Sequence, residues 1–198
     1  MSGSKALRIA LDLKNVPSLV HHVRNKPLPD DVLLLLQIAA GDPSAEQKAL
    51  TLVDRSLTEI RDAAEFFIEQ ILFAPEADSY RVLGATPNAS MADLRRNLAL
   101  LIRWLHPDAD KHGERCVFIG RVTAAWEDLK THERRAAYNA LVAERVSLGP
   151  ATGKARSRQS QKNFSSFASP RKVRRPPAPG YRPVGLLAQL LSLLSRRR

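Results

Sequence analysis

The side chains of this sequence best suited to chemistry lie in one stretch, Arg103-Trp104-Leu105-His106-Pro107-Asp108-Ala109-Asp110. His106 and Asp108 flank a proline, which fits a tight loop with its side chains turned outward. A Ser-His-Asp hydrolase needs a carboxylate to orient the imidazole and a nucleophile on its far side. Nothing local supplies that nucleophile, and there is no glycine-rich elbow. A metal site is the second option, since His106, Asp108, Asp110 and His112 fall within seven residues. Such ligands suit zinc or another transition metal, but all four belong to one loop without a distant anchor. No catalytic residue, metal or cofactor is therefore expected. A binding role fits better: proline pre-sets the loop, and imidazole and carboxylate offer charge-assisted contacts.

The elements that must position this loop are helices. Ser90-Met91-Ala92-Asp93 resembles a capping box, with Ser90 accepting an N–H and Asp93 reaching back. The helix it opens carries Leu94, Leu98, Leu101 and Leu105 at 4, 3, 4 spacing, with Arg95, Arg96 and Arg103 off that stripe. Pro107 ends it, because proline lacks an N–H and pushes His106 out of the helical region. A second helix is expected from near Glu114, burying Phe118, Val122, Ala125 and Leu129. The pair is antiparallel and holds His-Pro-Asp at its turn. A short helix over 78–83, stopped by Gly84, precedes it, and another over 133–143 follows.

The order of these pieces resembles the J domain, the module that defines the DnaJ co-chaperones. Asp78, Tyr80, Leu83 and Gly84 match its opening, and His106-Pro107-Asp108 its loop. Ala125, Trp126 and Leu129, followed by Arg134, Arg135, Ala136, Ala137 and Tyr138, match its closing signature. The resemblance implies that His106, Pro107 and Asp108 dock on a DnaK-type heat-shock chaperone and trigger its ATPase. It also implies that basic positions on the preceding helix, here Arg95 and Arg96 with Arg103 as a further candidate, meet an acidic patch on that chaperone. This chain departs from the pattern at Ala99 and Leu100, where two more basic residues are usual. Leu98 and Leu105 replace tyrosines, and Trp104 immediately precedes Leu105-His106. A thinner basic face predicts slower steered docking and weaker salt dependence, unless Leu100 and Trp104 face an intramolecular interface instead. No Gly/Phe-rich stretch follows, and the single cysteine, Cys116, rules out the family's zinc-binding module. That combination resembles the specialised members of the family.

Residues 1–75 read as a helical domain, hairpin-like, with no family resemblance. Asp30 and Asp31 are placed to cap a helix over 32–40, and Asp42 to cap one that opens with Pro43. From there one long helix is expected to about Phe73, with a seam of Val53, Leu57, Ile60, Ala64, Phe67 and Ile71. The domain either buries this seam within itself or serves as a platform for the next domain or a partner.

Charge separates the last segment from the rest. The whole chain has 31 Lys/Arg and 20 Asp/Glu, and twelve of the bases but none of the acids follow residue 149. The first 149 residues are thus near neutral. Residues 146–183 read as a disordered basic linker and 184–198 as a short amphipathic helix ending in three arginines. This tail suits folding back on the chain itself, docking into the groove of a protein partner or client, or contact with nucleic acid or an anionic membrane surface. Asp12 and Lys14 interrupt the only early apolar stretch, so no signal peptide is expected. The Leu-rich runs over 32–40 and 184–194 reach about half the length needed to span a bilayer.

The expectation is an all-α, cytoplasmic co-chaperone, not itself an enzyme: an N-terminal helical domain over 1–75, a J domain over 76–145, then linker and terminal helix. The alternative is a nucleic-acid- or membrane-associated adaptor that uses a J-like scaffold without stimulating a chaperone.

Overall fold

The computed structural model describes residues 4–106 and 114–147, and all regular structure among them is helical. The tail segments expected as linker and terminal helix lie outside the described residues, apart from the last two residues of the final helix. In the N-terminal part, α1 (Lys5–Asn15) leads through a 3-10 turn (Pro17–Leu19) into α2 (Val20–Arg24), α3 (Val32–Ala39), α4 (Pro43–Leu52) and α5 (Leu57–Phe67). A π-helical turn, Ile68–Leu72, extends α5. The following unit comprises α6 (Ser79–Val82), α7 (Met91–Trp104), a 3-10 turn (Glu114–Phe118), α8 (Ile119–Leu129) and α9 (His132–Ser147). None of the described helices is long and apolar enough to cross a membrane.

Two expectations for the N-terminal part are corrected. The long helix after Pro43 is broken: Val53 is extended, at φ −141° and ψ 141°, and α5 starts afresh at Leu57. The cause is local. Ser56 accepts the Glu59 N–H while the Glu59 carboxylate accepts the Ser56 N–H at 2.9 Å, a complete capping box. Val53 therefore leaves the seam, while Ile60, Ala64, Phe67 and Ile71 are fully buried. Asp31 precedes α3 but does not cap it through its side chain. Its carboxylate instead accepts the Ala6 N–H at 2.9 Å and the Ser4 hydroxyl, satisfying the start of α1. Asp42 caps α4 as expected, accepting the Ser44 N–H at 2.9 Å with Pro43 in the first turn.

Two glycines end helices in the same way. Gly41 after α3 and Gly84 after α6 have φ of 69° and 60°. Gly84 donates to Arg81 O at 2.8 Å and Ala85 to Tyr80 O at 2.9 Å, the paired bonds of a Schellman turn. At Gly84 the missing side chain also lets α3 approach, since an added Cβ would meet Leu36 Cδ1 at 3.0 Å.

The core is continuous across both parts. α1 packs along α5, and α3 lies against both α5 and α7. α6 and α9 both pack on α8, and α7 pairs with α8. Buried Leu35, Phe67 and Ile71 of the N-terminal helices and Leu83, Leu98 and Leu129 of the second unit belong to one apolar cluster. Polar ties cross the same boundary: Arg121 donates to Phe73 O at 2.9 Å and to Ala74 O at 2.6 Å, and Arg81 donates to Lys26 O. The α5 seam is covered within the N-terminal part by α1 and α3, while α3 and α7 carry the contact between the two parts.

Candidate functional site: the His106 end of the helix pair

α7 begins with the capping box read from the sequence. Ser90 Oγ accepts the Asp93 N–H at 3.1 Å, and Asp93 accepts the Ser90 N–H at 3.2 Å. These bonds, led by the Ser90 hydroxyl, hold the Asp93 carboxyl below its ordinary value. Leu94, Leu98, Leu101 and Leu105 are all buried. The opposite side of the helix is exposed at Ala92, Arg95, Arg96, Ala99 and Arg103. At the α-helical turn these five residues span an arc of about 100°, with the two alanines near its middle.

The three candidate arginines differ in their commitments. Arg96 pairs with Asp93 at 2.8 Å, one turn away on the same helix. Arg103 donates to the carbonyl of Gly41 at 3.4 Å, in the N-terminal part. Arg95 makes no ion pair among the described residues. Both pairs are exposed and of small energetic weight, so all three cations remain on the surface that a partner would meet. His106 is half-buried at the end of α7, where its N–H donates to Arg103 O at 3.3 Å. Pro107 and Asp108 lie outside the described residues, as do Asp110 and His112. Among the described residues no cluster of three or more His, Cys, Asp or Glu could hold a metal ion.

The departures at positions 100 and 104 have a packing explanation. Trp104 is 1% exposed. Its ring lies 6.1 Å from that of Phe73, and Phe73 in turn lies 4.8 Å from Phe118. Its indole N–H points to Glu65 Oε1 at 3.4 Å, and Glu65 pairs with Arg115 at 2.6 Å. The Arg115 guanidinium covers the Trp104 ring at 4.7 Å, a cation–π contact. Leu100 is half-buried against the common core. Leu100, one of the two positions where the J-domain pattern places charge, is thus spent on the core, whereas Ala99, the other, is exposed.

The closing signature acts as a clamp on the start of the unit. Tyr138 Oη accepts the Ser79 N–H at 2.9 Å, and Tyr80 donates to Asn139 Oδ1 at 2.7 Å. Arg135 donates to Tyr80 Oη at 2.9 Å and lies over its ring at 5.4 Å. Asp78 caps α6 by accepting the Arg81 N–H at 2.7 Å. The matched residues at both ends of the unit therefore touch one another, 55 to 59 residues apart in sequence. The model of the DnaJ domain family matches residues 78–139. The chain carries a DnaJ domain. The human protein named DnaJ homolog subfamily C member 16 is 41% identical over 73 residues, which are 36% of this chain and 9% of that protein. Its Gallus gallus counterpart is 40% identical over 67 residues, 33% of this chain and 8% of that protein. This chain thus spans less than a tenth of the length of these relatives. No solved structure matches significantly.

Two contributors to the site escape sequence reading. Glu65 lies far from the motif in sequence, and nothing about an exposed-looking glutamate on α5 announces its partners. Asn97 left a clue: it interrupts the apolar side of α7. It is buried and donates to the carbonyls of Leu83 and Gly84 at 3.0 and 3.1 Å, tying the end of α6 to α7.

Proposed function

We propose that this chain is a J-domain co-chaperone that binds a DnaK-type heat-shock chaperone and stimulates its ATPase. The single observation that carries this reading is His106, the first residue of His-Pro-Asp, at the end of a helix whose exposed arc bears Arg95, Arg96 and Arg103 inside a DnaJ domain. In this reading the chain performs no chemistry of its own. His106, Pro107 and Asp108 act as the trigger, and the arginines steer an acidic surface of the chaperone into place. The N-terminal helices and the basic tail would deliver the chaperone to a specialised client or location in the cytoplasm.

The test is single-turnover ATP hydrolysis by a DnaK-type chaperone, with the full chain and with His106→Gln. Acceleration by the wild type, lost in the variant at unchanged helicity, is the expected result. No acceleration by either protein would mean that Ala99 and Leu100 have disarmed the module. The adaptor role, resting on the basic tail, would then take over. A variant that loses its helicity would make His106 structural.

A further inference from the structure

An open groove of about 510 Å³ lies beside His106, between the J domain and the N-terminal helices. Ile38, Ala39 and Gly41 at the end of α3 line it, together with Arg61 and Glu65 of α5. Arg103, His106 and Arg115 complete it from the J-domain side. Any partner seated on this side of His106 therefore also meets the N-terminal helices.

Charge indicates what such a partner presents. Among the described residues, Arg61, Arg103 and Arg115 line the groove together with one carboxylate, Glu65. Glu65 is committed to Arg115, and Arg61 to the largely buried Glu46 at 2.7 Å. Arg103 meets only a neutral carbonyl among the described residues, so positive charge is left over. The tail of this chain is a poor occupant, because residues 146–198 contain no Asp or Glu and many bases. Like charge would repel it. We propose that the groove is the second half of the chaperone-docking surface and receives an acidic segment of the same DnaK-type chaperone that engages His106. The N-terminal helices then help to select the chaperone, and the basic positions missing at Ala99 and Leu100 are replaced by a surface that spans both parts. This inference rests on the co-chaperone reading.

Ala39 offers a test at the groove lining. It is half-buried in the last turn of α3, and Glu, Lys and Gln are all good helix formers of similar length. The measurement is the concentration of full chain that half-maximally accelerates single-turnover ATP hydrolysis by a DnaK-type chaperone, with thermal melting as a check on folding. Ala39→Glu should raise that concentration about fivefold and Ala39→Lys lower it about twofold. Ala39→Gln should stay near wild type. Maximal acceleration should not change, and the differences should shrink at high salt. If Ala39→Glu melts early, the Lys and Gln variants decide alone, and no tightening by Lys overturns the proposal. Glu and Lys variants that behave alike, while His106→Gln abolishes acceleration, would remove the groove and leave the co-chaperone reading standing. A chaperone indifferent to the wild type at every concentration would remove both.

Discussion

Trp104 and Arg115 bracket the His-Pro-Asp motif in sequence, and the Arg115 guanidinium lies 4.7 Å from the centre of the Trp104 ring. Glu65 holds both partners from the N-terminal helices, at 2.6 Å to Arg115 and 3.4 Å to the Trp104 indole. The two chain segments that enter and leave the motif are thereby fixed to one carboxylate outside the J domain.

Loss of that carboxylate should be felt as stability. The paired side chains are 19% and 29% exposed, so the contact is only partly screened. Glu65→Ala removes this ion pair and the acceptor of the Trp104 indole and should cost about 1–3 kcal/mol. Arg115→Ala should cost a similar amount. The double variant should cost less than the two together, by about 1 kcal/mol. Urea denaturation of the four proteins measures this coupling, and simple additivity would show that the pair contributes nothing.

Gly84 and Gly41 share a backbone conformation but not their surroundings, which separates strain from packing. Gly41→Ala meets no atom within 4 Å and should suffer only the left-handed backbone penalty, about 1–2 kcal/mol. Gly84→Ala adds contacts at 3.0 Å to Leu36 and 3.3 Å to Val32, both on α3. It should be the more destabilised of the two, by a further 1 kcal/mol or about that. Equal melting temperatures would mean that α3 yields freely and that the two parts are less tightly joined than their contacts imply.

The Ser90–Asp93 box gives a pH dependence with a defined sign. The Asp93 carboxyl is held below its ordinary 3.8 in the folded chain, chiefly by the Ser90 hydroxyl. Its contribution is therefore present above that value and is lost as pH falls through the lower folded one. Ser90→Ala should lower the melting temperature by about 3 °C at neutral pH. The gap to wild type should narrow on acidification below the ordinary carboxylate range. The Ser56–Glu59 box on α5, lowered in the same direction, should behave alike in Ser56→Ala. A gap independent of pH would assign the loss to helix propensity alone.

Much of the J domain was legible because its signals are local. The 4, 3, 4 spacing of Leu94, Leu98, Leu101 and Leu105 fixes which side of α7 is buried, whatever covers it. Gly84 and the box at Ser90 mark boundaries through bonds made within a few residues. The broken helix after Pro43 was equally local and equally readable. Ser56-Leu57-Thr58-Glu59 is a capping box, and only the continuous apolar spacing across it argued otherwise. Asp31 was misassigned for a different reason: two helix starts lie within its reach in space, and only one of them adjoins it in sequence.

By itself the sequence determined the helical periods, the motif and its order within the J-domain pattern, and the concentration of positive charge after residue 149. These depend on residue type and near-neighbour spacing, which folding does not alter. Tertiary structure alone decided that Leu100 and Trp104 turn inward, that Glu65 reaches the motif's flanks, and that His106 borders a groove shared with α3 and α5. An apolar residue on a helix is equally consistent with a core, an intramolecular interface or a docking face. Which of these it is depends on what other part of the chain arrives to cover it.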